Sequence, residues 1–183
     1  MDISPELKSL FSSLKDGSVI AIDGRCAAGK TTLAALLEKV FDCRVVHMDD
    51  FFLPPALRTP ERLLTPGGNV HYERFLSEAA PRLRGDAFSY GAYDCKSGGT
   101  EIKTLPAARF TVVEGSYSLH PALFSLYDLR LFCDVGADTQ KKRLYAREGA
   151  RAQVFFDKWI PLEEKYFSAY AVKDACDLII KEF

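Results

Sequence analysis

Gly24-Arg25-Cys26-Ala27-Ala28-Gly29-Lys30-Thr31-Thr32 is the stretch whose reading decides the fold. It has the form G-x-x-x-x-G-K-T, a glycine loop that cradles phosphate. Residues 18–23 before it, SVIAID, are apolar and β-branched and read as a buried strand. Residues 32–41 after it, TLAALLEKVF, are rich in strong helix formers. Strand, loop and helix in that order are the context the pattern needs. Gly24 and Gly29 let the backbone take turns that a side chain forbids. The loop N–H groups then converge at the positive end of the helix dipole and form an anion cradle. Lys30 is placed to bridge the β- and γ-phosphates of a nucleotide, and the Thr31 hydroxyl to sit on Mg²⁺. The plainer reading, a glycine turn that merely caps a helix, explains neither the Lys-Thr pair nor the strand before it.

The chain has 183 residues, enough for one domain with a sizeable core. Hydrophobic content of 48% and charged content of 27% are ordinary for a globular protein. With 24 basic and 25 acidic residues the net charge is −1, which speaks against a nucleic-acid surface or a polybasic membrane anchor. The five cysteines, Cys26, Cys43, Cys95, Cys133 and Cys176, form no C-x-x-C pair, so neither a disulfide framework nor a zinc site is expected. Reduced thiols fit a cytoplasmic protein. Cys26 lies near Lys30 and a helix start, where a thiol pKa can fall, although a small loop residue is the simpler account. No stretch approaches a membrane span, and the first residues lack the charge and apolar core of a signal peptide. Ile3, Leu7, Leu10, Phe11 and Leu14 recur at helical spacing and predict a short amphipathic helix.

Beyond the loop, residues 44–48 (RVVHM) read as a second strand that ends in Asp49-Asp50-Phe51-Phe52-Leu53. Pro54-Pro55 stops regular structure, and residues 54–70 are expected to be an irregular loop. A helix is predicted from about His71 to Leu83, and a loop or small hairpin over 89–104. Residues 110–114 (FTVVE) and 129–135 (LRLFCDV) are two more strands, and 177–180 (DLII) a last one. Asp138 is expected to cap a helix running through Arg147. Residues 154–176 read as helical, with Pro161 starting a second helix or kinking one. Trp159, Phe155, Phe156, Tyr166 and Phe167 read as core packing. Strands alternating with helices predict an α/β fold, a parallel sheet covered on both faces, in a single domain over 1–183. In such sheets ligands sit at the carboxyl ends of the strands.

Two carboxylates fall there. Asp49 or its neighbour Asp50 can take the proton of an acceptor hydroxyl and help bind Mg²⁺, with Asp49 preferred; a solvated turn is the alternative. Glu114 ends an apolar strand, where an acid beside a phosphate loop holds Mg²⁺; a partnered strand-end charge is the alternative. Arg143 and Arg147 are four apart and share a helix face in the most basic segment of the chain. That face is either simply solvated or part of a mobile lid, about 139–153, that neutralises charge on a phosphoryl group.

Taken together, the phosphate loop, HMDDFFLP (47–54), PGGNVHYERF (66–75), Tyr93-Asp94, VVEGSYSLHP (112–121) and RLYAR (143–147) resemble the uridine kinase family, most nearly the uridine kinase-like proteins of bacteria. The resemblance spans about residues 18–180. It implies a five-stranded parallel sheet of the phosphate-loop NTPase type carrying ATP and Mg²⁺ on the loop. It also implies that Asp49 holds and deprotonates a nucleoside 5′-hydroxyl, that Glu114 is the acidic Mg²⁺ partner, and that Arg143 and Arg147 are lid arginines. Tyr93 would lie beside the nucleoside, and Phe52 and His71 would line the acceptor side. Two positions depart from the nucleoside-specific pattern: His71 stands where those members carry Asp, and Gly98 where they carry a base-contacting His.

The expected activity is transfer of the ATP γ-phosphoryl group to a small-molecule hydroxyl, first of all that of uridine or a related nucleoside. A pantothenate-like or sugar-like alcohol is the nearest alternative acceptor. A nucleotide-dependent ATPase or switch with a protein partner is a further one, although no N-K-x-D motif is present. A pseudo-enzyme that binds ATP without turnover is opposed by intact Lys30, Thr31, Asp49 and Glu114. Neither nucleic acid nor membrane is an expected partner; self-association into a homo-oligomer is left open.

Overall fold

The computed structural model describes residues 3–95 and 97–181. Met1, Asp2, Glu182 and Phe183 of the 1–183 domain reading, and Lys96 of the 89–104 reading, lie outside the described residues. Helix α1 (Pro5–Ser13) starts where Ser4 Oγ accepts the Leu7 N–H at 3.2 Å, and it buries Leu7 and Phe11. Strand β1 (Val19–Gly24) runs into the glycine loop, and α2 (Lys30–Val40) leaves it. Then come β2 (Cys43–His47), α3 (Pro60–Leu64), α4 (Tyr72–Glu78), the hairpin β3 (Phe88–Tyr93) and β4 (Thr100–Leu105), and β5 (Phe110–Glu114). The chain ends through β6 (Leu129–Asp134), α5 (Ala137–Glu148), α6 (Ala152–Val154), α7 (Ile160–Ala169) and β7 (Leu178–Lys181).

Five strands form one parallel sheet in the order β2-β5-β1-β6-β7, while β3 and β4 pair antiparallel on their own. Alternation along the central strand divides the core into two layers. Val19 and Ala21 join Val46, Val113, Phe75, Tyr90, Tyr166 and Phe132 on one face. Ile20 and Ile22 join Leu7, Phe11, Leu33, Leu37, Val45 and Val112 on the other. Fully burying side chains of this size stabilises the fold by about 1.5–3 kcal/mol each. An arginine is buried beside them. Arg44 is 1% exposed, donates to Thr111 Oγ1 and to the carbonyls of Arg82, Leu83, Asp86 and Pro106, and lies over the Phe88 ring. It ties β2 to the turn that leads into the hairpin.

Several local expectations are corrected. The helix predicted over 71–83 ends at Glu78 and continues as a 3-10 turn over Ala80–Arg82, because Pro81 has no N–H to extend an α-helix. The 54–70 loop contains α3, capped by Thr59 Oγ1 accepting the Arg62 N–H at 3.2 Å, with Pro60 in the first turn. Gly136, not Asp138, takes the cap position of α5; Asp138 stands inside the first turn, where its charge suits the helix dipole. The helical reading of 154–176 stops at Ala169, and a π-helical turn over Phe155–Trp159 leads into α7, with Pro161 near its start. Of the five aromatics read as core, Tyr166 and Phe167 are buried, whereas Phe155, Phe156 and Trp159 are half-buried. Phe156 packs against Tyr145 of α5, and Phe155 lies under Arg147.

Candidate active site

The glycine loop is fixed from both sides. Gly24 has φ +129°, and a Cβ there would lie 2.1 Å from the Cys133 carbonyl of neighbouring β6, so only glycine fits. Its N–H donates to Asp23 Oδ1 at 2.7 Å, and the next N–H, that of Arg25, donates to the Cys133 carbonyl at 3.0 Å. Asp23 also accepts from the Leu119 N–H and the Tyr166 hydroxyl. Gly29, with φ +97°, turns the chain into α2. The first-turn amides of α2 have no partner inside the helix, as at any helix start, and a helix start of this kind can cradle an anion. Lys30 is buried, and its Nζ donates to the carbonyls of Gly24 at 2.6 Å and Arg25 at 3.0 Å. Burial opposes its charge, but Glu163 and Asp23 outweigh that and hold its pKa above the usual lysine value.

Glu114 ends β5, is 4% exposed, and gathers two partners. The Thr31 hydroxyl donates to its carboxylate at 3.2 and 3.3 Å. His47 Nδ1 lies 2.6 Å from Oε1, a contact that raises the His47 pKa despite its partial burial. Asp49 stands on the 3-10 turn after β2, open to solvent on one side. Gly115 makes room for it: a Cβ there would lie 3.3 Å from Asp49 Oδ1. Loss of water around the Asp49 carboxyl and the nearby Glu114 charge push its pKa up, against the pull of Lys30 and His47. Thr31, Glu114 and Asp49 therefore converge, as the sequence predicts. Their oxygens suit Mg²⁺, which takes one or two carboxylates plus substrate phosphates and water rather than a closed protein cage. Among the described residues no three His, Cys, Asp or Glu groups form such a cage.

Asp50 has a different task. It is 8% exposed, accepts from the Tyr90 hydroxyl at 2.7 Å and pairs with Lys103 at 2.8 and 2.9 Å. The hairpin is thereby fastened to the turn that carries Asp49.

The basic segment reaches the loop. Arg143 Nη1 donates to the Ala27 carbonyl at 3.1 Å, and Arg147 Nη2 lies 3.7 Å from Cys26 Sγ. Gln140 Nε2 donates to the Cys26 carbonyl at 2.9 Å. The face is not simply solvated. The Cys26 thiol is corrected in the opposite sense: burial and Glu163 push its pKa up despite Lys30 and Arg147, because its surroundings withhold water from the thiolate.

The acceptor side is less closely gathered. Phe52 bridges to Val70 and meets Tyr117 edge-on at 6.5 Å, and Tyr93 ends β3 half-buried opposite Thr100. His71 precedes α4 at the cap position, yet its side chain caps nothing. Its Nδ1 and the Oδ1 of Asn69 are buried polar atoms with no partner. Burial lowers the His71 pKa, and its main charged neighbours are Glu73, Arg74 and Arg62 rather than the group around Asp49. Sequence reasoning missed Glu163, whose Oε2 accepts the Cys26 N–H at 3.0 Å, and His47. His47 carried a signal, an imidazole one residue from the end of a strand aimed at the site. Glu163 carried only an acid on the apolar face of a helix.

No protein-family model matches the chain, and no curated protein matches it. Solved structures do. The structure described as a possible uridine kinase from Bacillus stearothermophilus has a TM-score of 0.71 at 19% identity, covering 94% of this chain and 94% of its own. The fold is that of the phosphate-loop NTPase type, a five-stranded parallel sheet with helices on both faces. D-glycerate 3-kinase from Cryptococcus neoformans var. grubii has a TM-score of 0.55 at 13% identity, covering 87% of this chain and 84% of its own. No helix among the described residues is long and apolar enough to cross a membrane.

Proposed function

We propose that the protein is an ATP-dependent phosphotransferase that moves the γ-phosphoryl group to the hydroxyl of a small molecule, with uridine or a related nucleoside as the leading acceptor. The observation that carries this reading is the meeting, at the carboxyl ends of β1, β2 and β5, of an intact phosphate loop with Asp49, Glu114 and two lid arginines. The loop amides and Lys30 hold the β- and γ-phosphates. Asp49, whose carboxyl pKa is pushed up by loss of water and the nearby Glu114 charge and which is open to the cleft, accepts the proton of the acceptor hydroxyl as its oxygen attacks phosphorus. Arg143 and Arg147 offset the charge spread over the transferring group. Thr31, Glu114 and Asp49 are the residues to hold Mg²⁺, which when bound neutralises phosphate charge. The segment 139–153 works as the lid, and the cytoplasm, where ATP and Mg²⁺ are found, is the compartment this chemistry calls for.

A second acceptor class, a hydroxy acid, is favoured by Arg58. Its Nε donates to the Leu53 carbonyl at 2.6 Å and its Nη2 lies 3.8 Å from Cys95 Sγ, a thiol that in turn feels the Asp49 charge. A guanidinium so placed can clamp a carboxylate. ADP release measured against nucleosides, pantothenate, small polyols and hydroxy acids, with a no-acceptor blank, tests both readings. Release that no acceptor stimulates contradicts them.

A further inference from the structure

The mechanism above gives Glu163 no step of its own beyond its charge near Lys30, although its carboxylate is buried within the phosphate loop's own network. It stands on α7 at 5% exposure. Its Oε2 accepts the Cys26 N–H at 3.0 Å and its Oε1 accepts the Ser116 hydroxyl at 2.5 Å. Cys26 is the third residue of the loop that leaves β1, and Ser116 comes two residues after Glu114 at the exit of β5. One carboxylate thus spans the two strand ends whose separation sets the distance from the phosphate cradle to Glu114. The same helix is anchored one turn further on, where the Tyr166 hydroxyl donates to Asp23 at 2.8 Å. The bonded amide also precedes Ala27, a non-glycine residue at φ +59°, a backbone state that persists only where the surroundings enforce it. The first-turn amides of α2 lie beyond this contact, so the carboxylate engages one loop amide and leaves the helix start to an anion.

We propose that Glu163 is a positioning residue that clips the crest of the phosphate loop to the exit of β5, setting the loop for the terminal phosphates of the nucleotide. It touches no reacting atom. The proposal rests on the kinase reading above for the identity of the ligand, and on the hydrogen bonds alone for the clamp. Placement needs two correctly spaced polar atoms rather than a negative charge. Glutamine can supply both, its oxygen accepting the Cys26 N–H and its amide nitrogen donating to Ser116 Oγ.

The test compares the parent with Glu163→Gln, Glu163→Ala and Ser116→Ala. The readouts are ATP affinity by calorimetry, kcat and KM for ATP, and amide hydrogen exchange over residues 24–29. Glu163→Ala should weaken ATP binding and lower kcat/KM for ATP at least ~10-fold, the scale of a misplaced phosphate contact, with faster exchange of the loop. Glu163→Gln should stay within about threefold of the parent in all three, the rescue that placement by hydrogen bonds requires. Ser116→Ala should shift the same readouts in the same direction by less, and it serves if Glu163→Ala does not fold. A Gln variant as defective as the Ala variant would overturn the proposal in favour of a charge effect. Tighter ATP binding in Glu163→Ala would overturn it in favour of an internal anion that competes with phosphate. Loop exchange is read without turnover, so a parent that transfers no phosphoryl group refutes the kinase reading while the clamp is still tested.

Discussion

Asp49 and Asp50 are adjacent in sequence but have different surroundings, and on the proposed mechanism substituting each should damage a different property. Asp50 accepts from the buried Tyr90 hydroxyl and pairs with Lys103, whose side chain is 43% exposed. Asp50→Ala leaves the Tyr90 hydroxyl without an acceptor, a loss of about 1–3 kcal/mol. Lys103 can turn to solvent, so loss of the ion pair itself adds only about 0–1 kcal/mol. Together these give about 1–4 kcal/mol of lost stability, or a fall in Tm on the order of 2–16 °C for a chain of this length. Asp49 makes no such pair, and Asp49→Asn should leave Tm nearly unchanged while kcat falls at least ~100-fold, the usual scale for a general base. Thermal unfolding followed by circular dichroism, with steady-state kinetics on the same preparations, separates the two. A stable Asp50→Ala protein, or an Asp50→Asn protein with a greater loss of kcat than Asp49→Asn, would refute this division of labour.

Arg143→Ala and Arg147→Ala should each lower kcat by about 100-fold, the usual loss for one transition-state donor, with a smaller effect on ATP affinity. Kinetics in which only the KM for ATP rises would place them in ground-state binding. His71→Asp should raise kcat/KM for uridine at least ~10-fold, since a carboxylate accepts from both hydroxyls of a ribose diol at about 1.5–3 kcal/mol per charged hydrogen bond. No gain with uridine removes His71 from the acceptor site. Acid should destabilise the protein through His120, whose pKa burial lowers to about 4 and whose Nδ1 accepts the Ala122 N–H at 3.2 Å. The folded pKa lies below the unfolded one near 6.5, so the stability is complete above ~6.5 and is lost as pH falls toward the folded value. Between pH 7 and pH 5 the loss is about 1–2 kcal/mol, and His120→Asn, which keeps an acceptor for Ala122, should flatten denaturant titrations over that range. An unchanged slope would refute the assignment.

The sheet was legible because its strands are short apolar runs with unambiguous borders, and because a glycine loop with strand and helix flanks admits few folds. The gathering of the candidate site was legible where chemistry lies next to a strand end, as for Asp49 and Glu114. What stayed hidden depends on contacts far apart in sequence. Asp50 and Asp49 look alike until Lys103 and Tyr90 arrive from the hairpin. Glu163 meets Cys26 across 137 positions, a distance no local pattern reports. Helix α3 was overlooked although Thr59-Pro60-Glu61 carries a cap and a first-turn proline, since Pro54-Pro55 upstream suggested irregular chain throughout. The π-helical turn before Pro161 has no sequence signature beyond the proline itself.

The central claim is phosphoryl transfer from ATP to a small-molecule hydroxyl at this loop. Its most direct test is to incubate the protein and its Lys30→Ala variant with γ-labelled ATP, Mg²⁺ and the acceptor panel, and to measure label in each recovered acceptor. The account predicts label in at least one acceptor, dependent on Mg²⁺, and a fall of several orders of magnitude in Lys30→Ala, which lacks the charge on the β/γ-phosphates. Equal labelling by parent and variant, or label that appears only as free phosphate, would contradict it.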